Sequence, residues 1–276
     1  MDTQIVTIYC LCDDLLKKMH HVDDKQCQMT DAEVLTTAIV ATLYFGGNLE
    51  RARALLGEPR YIPGMLSRSR LNRRLHRVKR FFLTLFAVLG ERWKTLNEQA
   101  IYLLDTFPLP ACEHYRVFRA RLYPDMAFRG FTASKKAFFH GLKLHLMVTA
   151  TGQPVEFFLT PGSCGDIKGL QWFDFDLPVG SEIYADKAYN DYTVEDELAE
   201  LGLSFKPIRK RNSKRPEPAW MTHWQTVHRK VIETAGSLIH RLMPRRIHAV
   251  TAAGFEMKIV LFVLALSLHH WLKVAT

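Results

Sequence analysis

Acidic side chains are scarce in two stretches of this 276-residue chain, and those gaps exclude much. Residues 51–80 hold ten basic side chains (Arg51, Arg53, Arg60, Arg68, Arg70, Arg73, Arg74, Arg77, Lys79 and Arg80) against one acid, Glu58. Residues 206–215 hold six basic groups and no acid. With 37 Lys and Arg against 28 Asp and Glu, the formal net charge is +9. Such one-sided clusters are the electrostatic footprint of a polyanion partner, nucleic acid first. Cysteine is scarce too: five residues, an odd number at no framework spacing, exclude a disulfide scaffold and suit a reducing compartment. Cys10 and Cys12 read as small apolar residues of a helix, not as zinc ligands. No signal peptide is read in the opening residues, and no internal repeat or low-complexity segment is visible. The most hydrophobic run, Ile259 to Leu268, is interrupted by His269-His270 and is too short to span a bilayer. It reads as a buried helix, so no membrane partner is expected.

What is present is a chain of two textures. Hydrophobic content of 48% with 24% charged residues suits a globular protein with one good core and a smaller module. The expected division is a helical module over residues 1–95 and an α/β domain over 96–276. In the first, Ile5, Ile8, Cys12, Leu15, Leu16 and Met19 recur at helical spacing. Thr30-Asp31-Ala32-Glu33 is a capping box before Val34 to Phe45, and Gly46-Gly47-Asn48 breaks the chain before a short helix through Leu56. A last helix carries Leu71, Leu75, Val78, Phe82, Leu85 and Leu89 as one apolar stripe. Arg70, Arg73, Arg74, Arg77 and Arg80 fall on its other faces, an arrangement that suits a DNA-binding helix; the bland reading is a solvated basic face.

From about residue 98 the hydrophobic period shortens. Ala100 to Leu104 reads as a short buried strand, followed by an irregular, basic insertion over 107–136 (Arg116, Arg119, Arg121, Arg129, Lys135, Lys136). Phe139 to Thr149 alternates, with Lys143 and His145 on its second face, and turns at Gly152 into Val155 to Leu159. Asp166 to Phe173 reads as helix, Glu182 to Ala185 as strand, Asp191 to Leu201 as helix and Leu203 to Ile208 as strand. Long helices follow, around Glu233 and from Ala252 to Leu272. This order implies a mixed sheet with helices on its faces.

Three carboxylates occupy costly places. Asp105 ends the apolar run from Ile101, Asp186 ends the strand at Ala185, and Glu233 lies on the helix. Charges at the ends of buried strands need a partner or a metal. If the two strands are parallel neighbours and the helix crosses their ends, the three acids converge. Hard oxygen ligands then select magnesium or manganese, and two ions roughly 3.5–4 Å apart suit in-line displacement at a phosphodiester. The bland alternative for each is local: a turn cap for Asp105, a helix cap or a pair with Lys187 for Asp186, a pair with Arg229 or Lys230 for Glu233.

At these residues the chain resembles the DDE transposases of prokaryotic insertion sequences. Leu103-Leu104-Asp105-Thr106-Phe107-Pro108 is similar to the block of the first Asp, and Tyr184-Ala185-Asp186-Lys187-Ala188-Tyr189 to that of the second. Arg229-Lys230-Val231-Ile232-Glu233 is similar to the Glu block, with Thr226 and His240 where many relatives carry Tyr and Lys. Gly141 to His145, and Pro161-Gly162-Ser163 with Asp166, also have the family's look. The resemblance implies a ribonuclease-H-like catalytic domain, with Asp105, Asp186 and Glu233 as catalytic residues and ligands of two Mg2+ (or Mn2+) ions. It implies binding of terminal inverted repeats and target DNA, cleavage and strand transfer, a homodimer, and a prokaryotic, nucleoid-associated place in the cytoplasm. Arg70, Arg73, Arg74, Arg77, Arg80, Lys187, Arg209, Lys210, Arg211, Lys214 and Arg229 are the expected DNA contacts, with Arg215 beside them in the basic run. The alternatives are a metal-dependent nuclease of the same fold and a non-cleaving DNA-binding protein.

Overall fold

A computed structural model of the chain describes residues 1–132, 136–216, 218–244 and 247–274. Lys135 of the expected insertion lies outside the described residues. The chain folds into two compact units: Met1–Val88 with Ile239–Ala249 and Ala253–Thr276, and Leu89–Leu238 with Val250–Ala252.

The first unit is helical. Helix α1 (Asp2–Lys18) buries Ile5, Ile8, Cys12, Leu15 and Leu16, the expected stripe less Met19, which is exposed. Helix α2 (Asp31–Phe45) starts at the expected capping box: the Thr30 hydroxyl accepts from the Glu33 N–H, and Glu33 accepts from the Thr30 N–H at 2.7 Å. Asn48 caps the short α3 (Leu49–Leu56) by accepting two N–H groups. Helix α4 (Arg68–Leu96), of which the part up to Val88 belongs to this unit and the rest to the second, buries Leu71, Leu75, Val78, Phe82, Leu85 and Leu89. The unit also takes helix α8 (Ala252–Val274) from the far end of the chain. The expected division gave everything after residue 95 to the sheet domain, whereas this compact unit also takes residues 239–249 and 253–276. The reason is packing: α8 is apolar on every side, with Phe255, Phe262, Val263, Leu264 and Leu266 all buried. The Phe262 ring lies 3.2 Å from where a Cβ of Gly47 would stand. By length and composition α8 could cross a bilayer, contrary to the short run read above, but most of it is buried in the protein.

The second unit is built on a sheet of β1 (Ile101–Cys112), β2 (Arg129–Thr132), β3 (Ala137–Thr149), β4 (Pro154–Pro161), β5 (Glu182–Ala185) and β6 (Ser204–Pro207). The path runs β2-β3-β1-β5-β6, and β4 pairs with β3. Strands β1, β5 and β6 are parallel to one another, while β3 runs antiparallel to β1, β2 and β4. Helices α5 (Asp166–Leu170), α6 (Tyr192–Glu200) and the greater part of α7 (Ala219–Leu242) belong to this unit. The mixed sheet with helices is thus as expected.

Strand β1 is not. It continues seven residues past Asp105, through the stretch expected to be irregular. Pro108 and Pro110 mislead a sequence reading, because proline cannot donate to a ladder. Here β5 stops at Ala185, opposite Leu104, so beyond it the far edge of β1 carries no strand partner among the described residues, and two missing N–H groups on that edge cost nothing. The other edge stays paired with β3, Pro108 opposite Lys143 and Pro110 opposite Gly141. Beyond Cys112 the insertion holds 3-10 turns at His114–Arg119 and Met126–Phe128 and then β2.

Candidate active site

The register of β1 and β5 sets the site. Leu104 pairs with Ala185, so Asp105 and Asp186 are the next residues on two parallel neighbours. The Asp105 carboxylate accepts from the Thr106 N–H at 2.7 Å, and Asp186 accepts from the Lys187 N–H at 2.7 Å. Asp105 is mostly buried, and that desolvation, with the negative charge of Asp186 adding to it, pushes its pKa up to about 6.

Helix α7 crosses the same edge. Residues 105 and 107 share a face of β1, and the Phe107 ring occupies the space beside Gly236, 2.2 Å from where a Cβ would be. Glu233 lies one turn before Gly236, and Arg229 one turn before that. The Arg229 guanidinium joins the acids: Nη1 donates to Asp186 at 3.3 Å and Nε to Glu233 at 2.9 Å. A pocket opens here, lined by Leu104, Asp105, Ala185, Asp186, Ile208, Gln225, Arg229 and Ile232. Glu233 itself is 55% exposed. So the structure brings Asp105 and Asp186 to one pocket and ties Glu233 to them through Arg229. It does not gather three ligand oxygens as closely as the sequence reading expected. Among the described residues, the three-residue cluster with ligand atoms within 4.8 Å of one another is His21, Asp23 and Asp31, in the helical unit. Those two aspartates are engaged internally: Asp23 accepts from the Asp31 N–H at 2.9 Å, and Asp31 pairs with Arg74.

Gly236 is therefore the contact on which the placement of Glu233 depends. Gly236→Ala must push Phe107 or the helix aside, and overpacking of this kind costs about 1–3 kcal/mol. A lowered midpoint in urea unfolding is the expected result; an unchanged midpoint would show that α7 is not seated on Phe107.

The opposite face of the site holds a buried polar chain that the sequence reading did not find. Tyr189, at the end of the second acidic block, meets the Thr106 hydroxyl. Thr106 meets His145 Nδ1 at 3.2 Å, and His145 Nε2 meets the Thr160 hydroxyl at 3.0 Å. The His145 ring is fully buried and stacks on Phe158 at 4.5 Å. Desolvation lowers its pKa to about 4, so it is neutral here. Nearby, Lys143 pairs with Asp166 at 3.0 Å, joining the two segments that carried a family likeness. The signal available in sequence was Lys143 and His145 alternating onto one face of β3.

The expected DNA contacts divide. Arg70, Arg73, Arg77 and Arg80 are exposed on α4, with Arg80 resting over the Phe81 ring at 4.7 Å. Arg74 is not free to meet a phosphate: its guanidinium donates to Asp31 and to Cys27 Sγ and is only 13% exposed. Lys187, Lys210, Arg211 and Lys214 are exposed. Arg209 is taken by Glu195, a carboxylate 6% exposed, and Arg215 by Asp196 at 2.8 and 2.9 Å. A buried carboxylate without a cation would be costly, and that need draws Arg209 inward. Arg229, also among the expected DNA contacts, donates to Asp186 and Glu233.

Residues 95–248 match the family model described as a transposase DDE domain. Comparison with curated proteins and with solved structures finds no match.

Proposed function

The chain belongs to the transposase DDE domain family, and from that premise we propose that it binds the terminal inverted repeats of an insertion sequence and catalyses metal-dependent DNA cleavage and strand transfer as a homodimer. The observation that carries the reading is the paired register of Asp105 and Asp186 beneath the helix of Arg229 and Glu233. Sheet order supports a ribonuclease-H-like domain: in β4-β3-β1-β5-β6 only β3 runs against the rest. The donor set fits divalent cations. It consists of hard carboxylate oxygens, and the mostly buried Asp105 bears a desolvation cost that a bound cation would offset. Asp105, Asp186 and Glu233 would hold Mg2+ or Mn2+, two ions in the family's manner, which supply charge neutralisation and an activated oxygen nucleophile.

The chain's own groups do the rest. Asp105 and Asp186 are fixed by their neighbours' N–H groups, so the carboxylates are held before DNA arrives. Arg229 now neutralises Asp186 and Glu233, and its planar fork suits a phosphate that enters between them. Neutral His145 and its partners hold Thr106, and through it the middle of β1 beside Asp105, without adding charge. Lys187 follows Asp186 directly, and Lys210, Arg211 and Lys214 lie on the exposed run after Ile208, a pocket-lining residue; they are assigned to DNA flanking the cleaved bond, where they position without specifying sequence.

On α4, Arg70, Arg73, Arg77 and Arg80 recur at helical spacing along one exposed stripe and are assigned to phosphates of the end repeat. Each phosphate contact contributes about 0.9 to the slope of log affinity against log salt. Changing Arg70, Arg73 and Arg77 together to Ala should therefore lower that slope by roughly 3 and weaken binding at low salt. An unchanged slope would return the stripe to solvent.

The deciding experiment incubates the protein with labelled DNA from the ends of its own element, with Mg2+ or with a chelator. Cleaved ends and joined products that need Mg2+ are expected. Cleavage without joining would favour a nuclease of the same fold. No cleavage at all would favour a protein that only binds.

A further inference from the structure

The insertion between β1 and β3 carries more exposed aromatic surface than folding requires. In the β2–β3 hairpin, Phe131 pairs across strands with Phe138, ring centroids 5.0 Å apart, and each keeps 50% of its surface exposed. The Arg129 guanidinium lies 4.7 Å over the Phe138 ring, so Arg129, Phe138 and Phe131 form one outward layer. The inner face of the same hairpin is already filled. Phe139 is buried, and its ring, with the Gly162 carbonyl, stands 2.4 Å from where a Cβ of Gly130 would be. The outer rings are therefore not core residues of the hairpin. Close by in sequence, Tyr115 is 69% exposed under the Arg116 guanidinium, and Phe118 is fully exposed.

Single exposed apolar residues need no explanation, but a cluster of rings capped by guanidinium groups does. Residues 113–132 hold four arginines against two acids, so the face is basic as well as aromatic. Duplex DNA would satisfy the arginines and leave the rings idle, because its bases are already stacked. Unpaired bases satisfy both: backbone phosphates meet arginine, and base faces meet the rings. Strand β1 also connects this face to the acids. Seven residues separate Asp105 from Cys112, roughly 20 Å of strand, the length of about six base pairs.

We infer that the Arg129–Phe138–Phe131 layer is a stacking platform for unpaired DNA bases near the cleaved end. The inference rests on the DNA-processing reading above, and its test uses no cleavage, so either can fail without the other. The test measures anisotropy of a labelled oligo(dT) of about 20 nucleotides, and of a mixed-sequence duplex of equal length, with the full-length chain in chelator. Phe131→Ala with Phe138→Ala should weaken oligo(dT) binding roughly tenfold or more and duplex binding by less than about twofold, since stacking acts on free bases only. Phe131→Trp with Phe138→Trp should keep the affinity for oligo(dT). A 2-aminopurine placed within the oligonucleotide should change fluorescence when the wild-type protein saturates it, a readout that needs no variant to fold. Unchanged 2-aminopurine emission, oligo(dT) binding by the alanine pair at wild-type strength, or equal loss on duplex and single strand would each overturn the proposal. So would conversion of a dimer to a monomer by the alanine pair in sedimentation, which would assign the face to a second copy of the chain.

Discussion

Asp186→Asn is expected to slow DNA cleavage and strand joining by at least about a thousandfold, some 4 kcal/mol of barrier, while the fold and the affinity for DNA stay as they are. The side chain has two separable roles. Its Oδ1 accepts the Lys187 N–H and so starts the 3-10 turn over Lys187–Tyr189. An Asn carbonyl can accept the same bond, so the turn and the buried Tyr189 that follows it should persist. The negative charge is the other role, and Asn removes it. That charge is the anionic oxygen that would hold a cation beside Asp105, and it is half of what orients Arg229. End binding should survive because the exposed stripe of α4 does not depend on the pocket. A gel assay on labelled end DNA with Mg2+ compares the two proteins. If the variant cleaves and joins like the wild type, Asp186 takes no part in the reaction and the acidic site lies elsewhere.

The local structure around Asp186 was legible in the sequence because its features are local. Strand β5 occupies the four residues read as a strand, and Asp186 follows it directly. The capping box of α2 and the apolar stripe of α4 were equally legible, since each is fixed by side chains within one turn of another. What failed was non-local. The stretch from residue 107 read as irregular, and its Pro108 and Pro110 are acceptable in β1 only because β5 stops at Ala185. Arg74, Arg209 and Arg215 looked like their exposed neighbours. Their partners Asp31, Glu195 and Asp196 stand 43, 14 and 19 residues away, beyond any spacing rule. Helix α8 looked like an ordinary C-terminal core helix, yet it completes a unit that begins at Met1. The role of Arg229 was half legible: its spacing to Glu233 marked a pair, but the bond to Asp186 depends on how α7 crosses the sheet.

That crossing leaves Asp105 as the acid with most to lose from burial, so Asp105→Asn should stabilise the metal-free protein even as it removes activity. Burial raises the pKa of Asp105 from an ordinary 3.8 to about 6. Above pH 6 the carboxylate is charged in both folded and unfolded chains, and only the folded one bears the desolvation cost. As pH falls from 6 toward 4 the folded chain takes up its proton first, so this group's penalty fades, and below pH 4 it is gone. A shift of about two units corresponds to about 2–3 kcal/mol. In chelator at pH 7.5 the Asn variant should therefore be more stable than the wild type by up to about that amount. The advantage should shrink to nothing by pH 4, where the wild-type acid is itself neutral. Added Mg2+ should narrow the gap at pH 7.5 from the other side, by stabilising the wild type and leaving the variant where it was. Urea unfolding at the two pH values, with and without Mg2+, measures all three. A variant less stable than the wild type in chelator at pH 7.5 would mean that the Asp105 carboxylate is already compensated without a metal, and the cation fit of the pocket would fall with it.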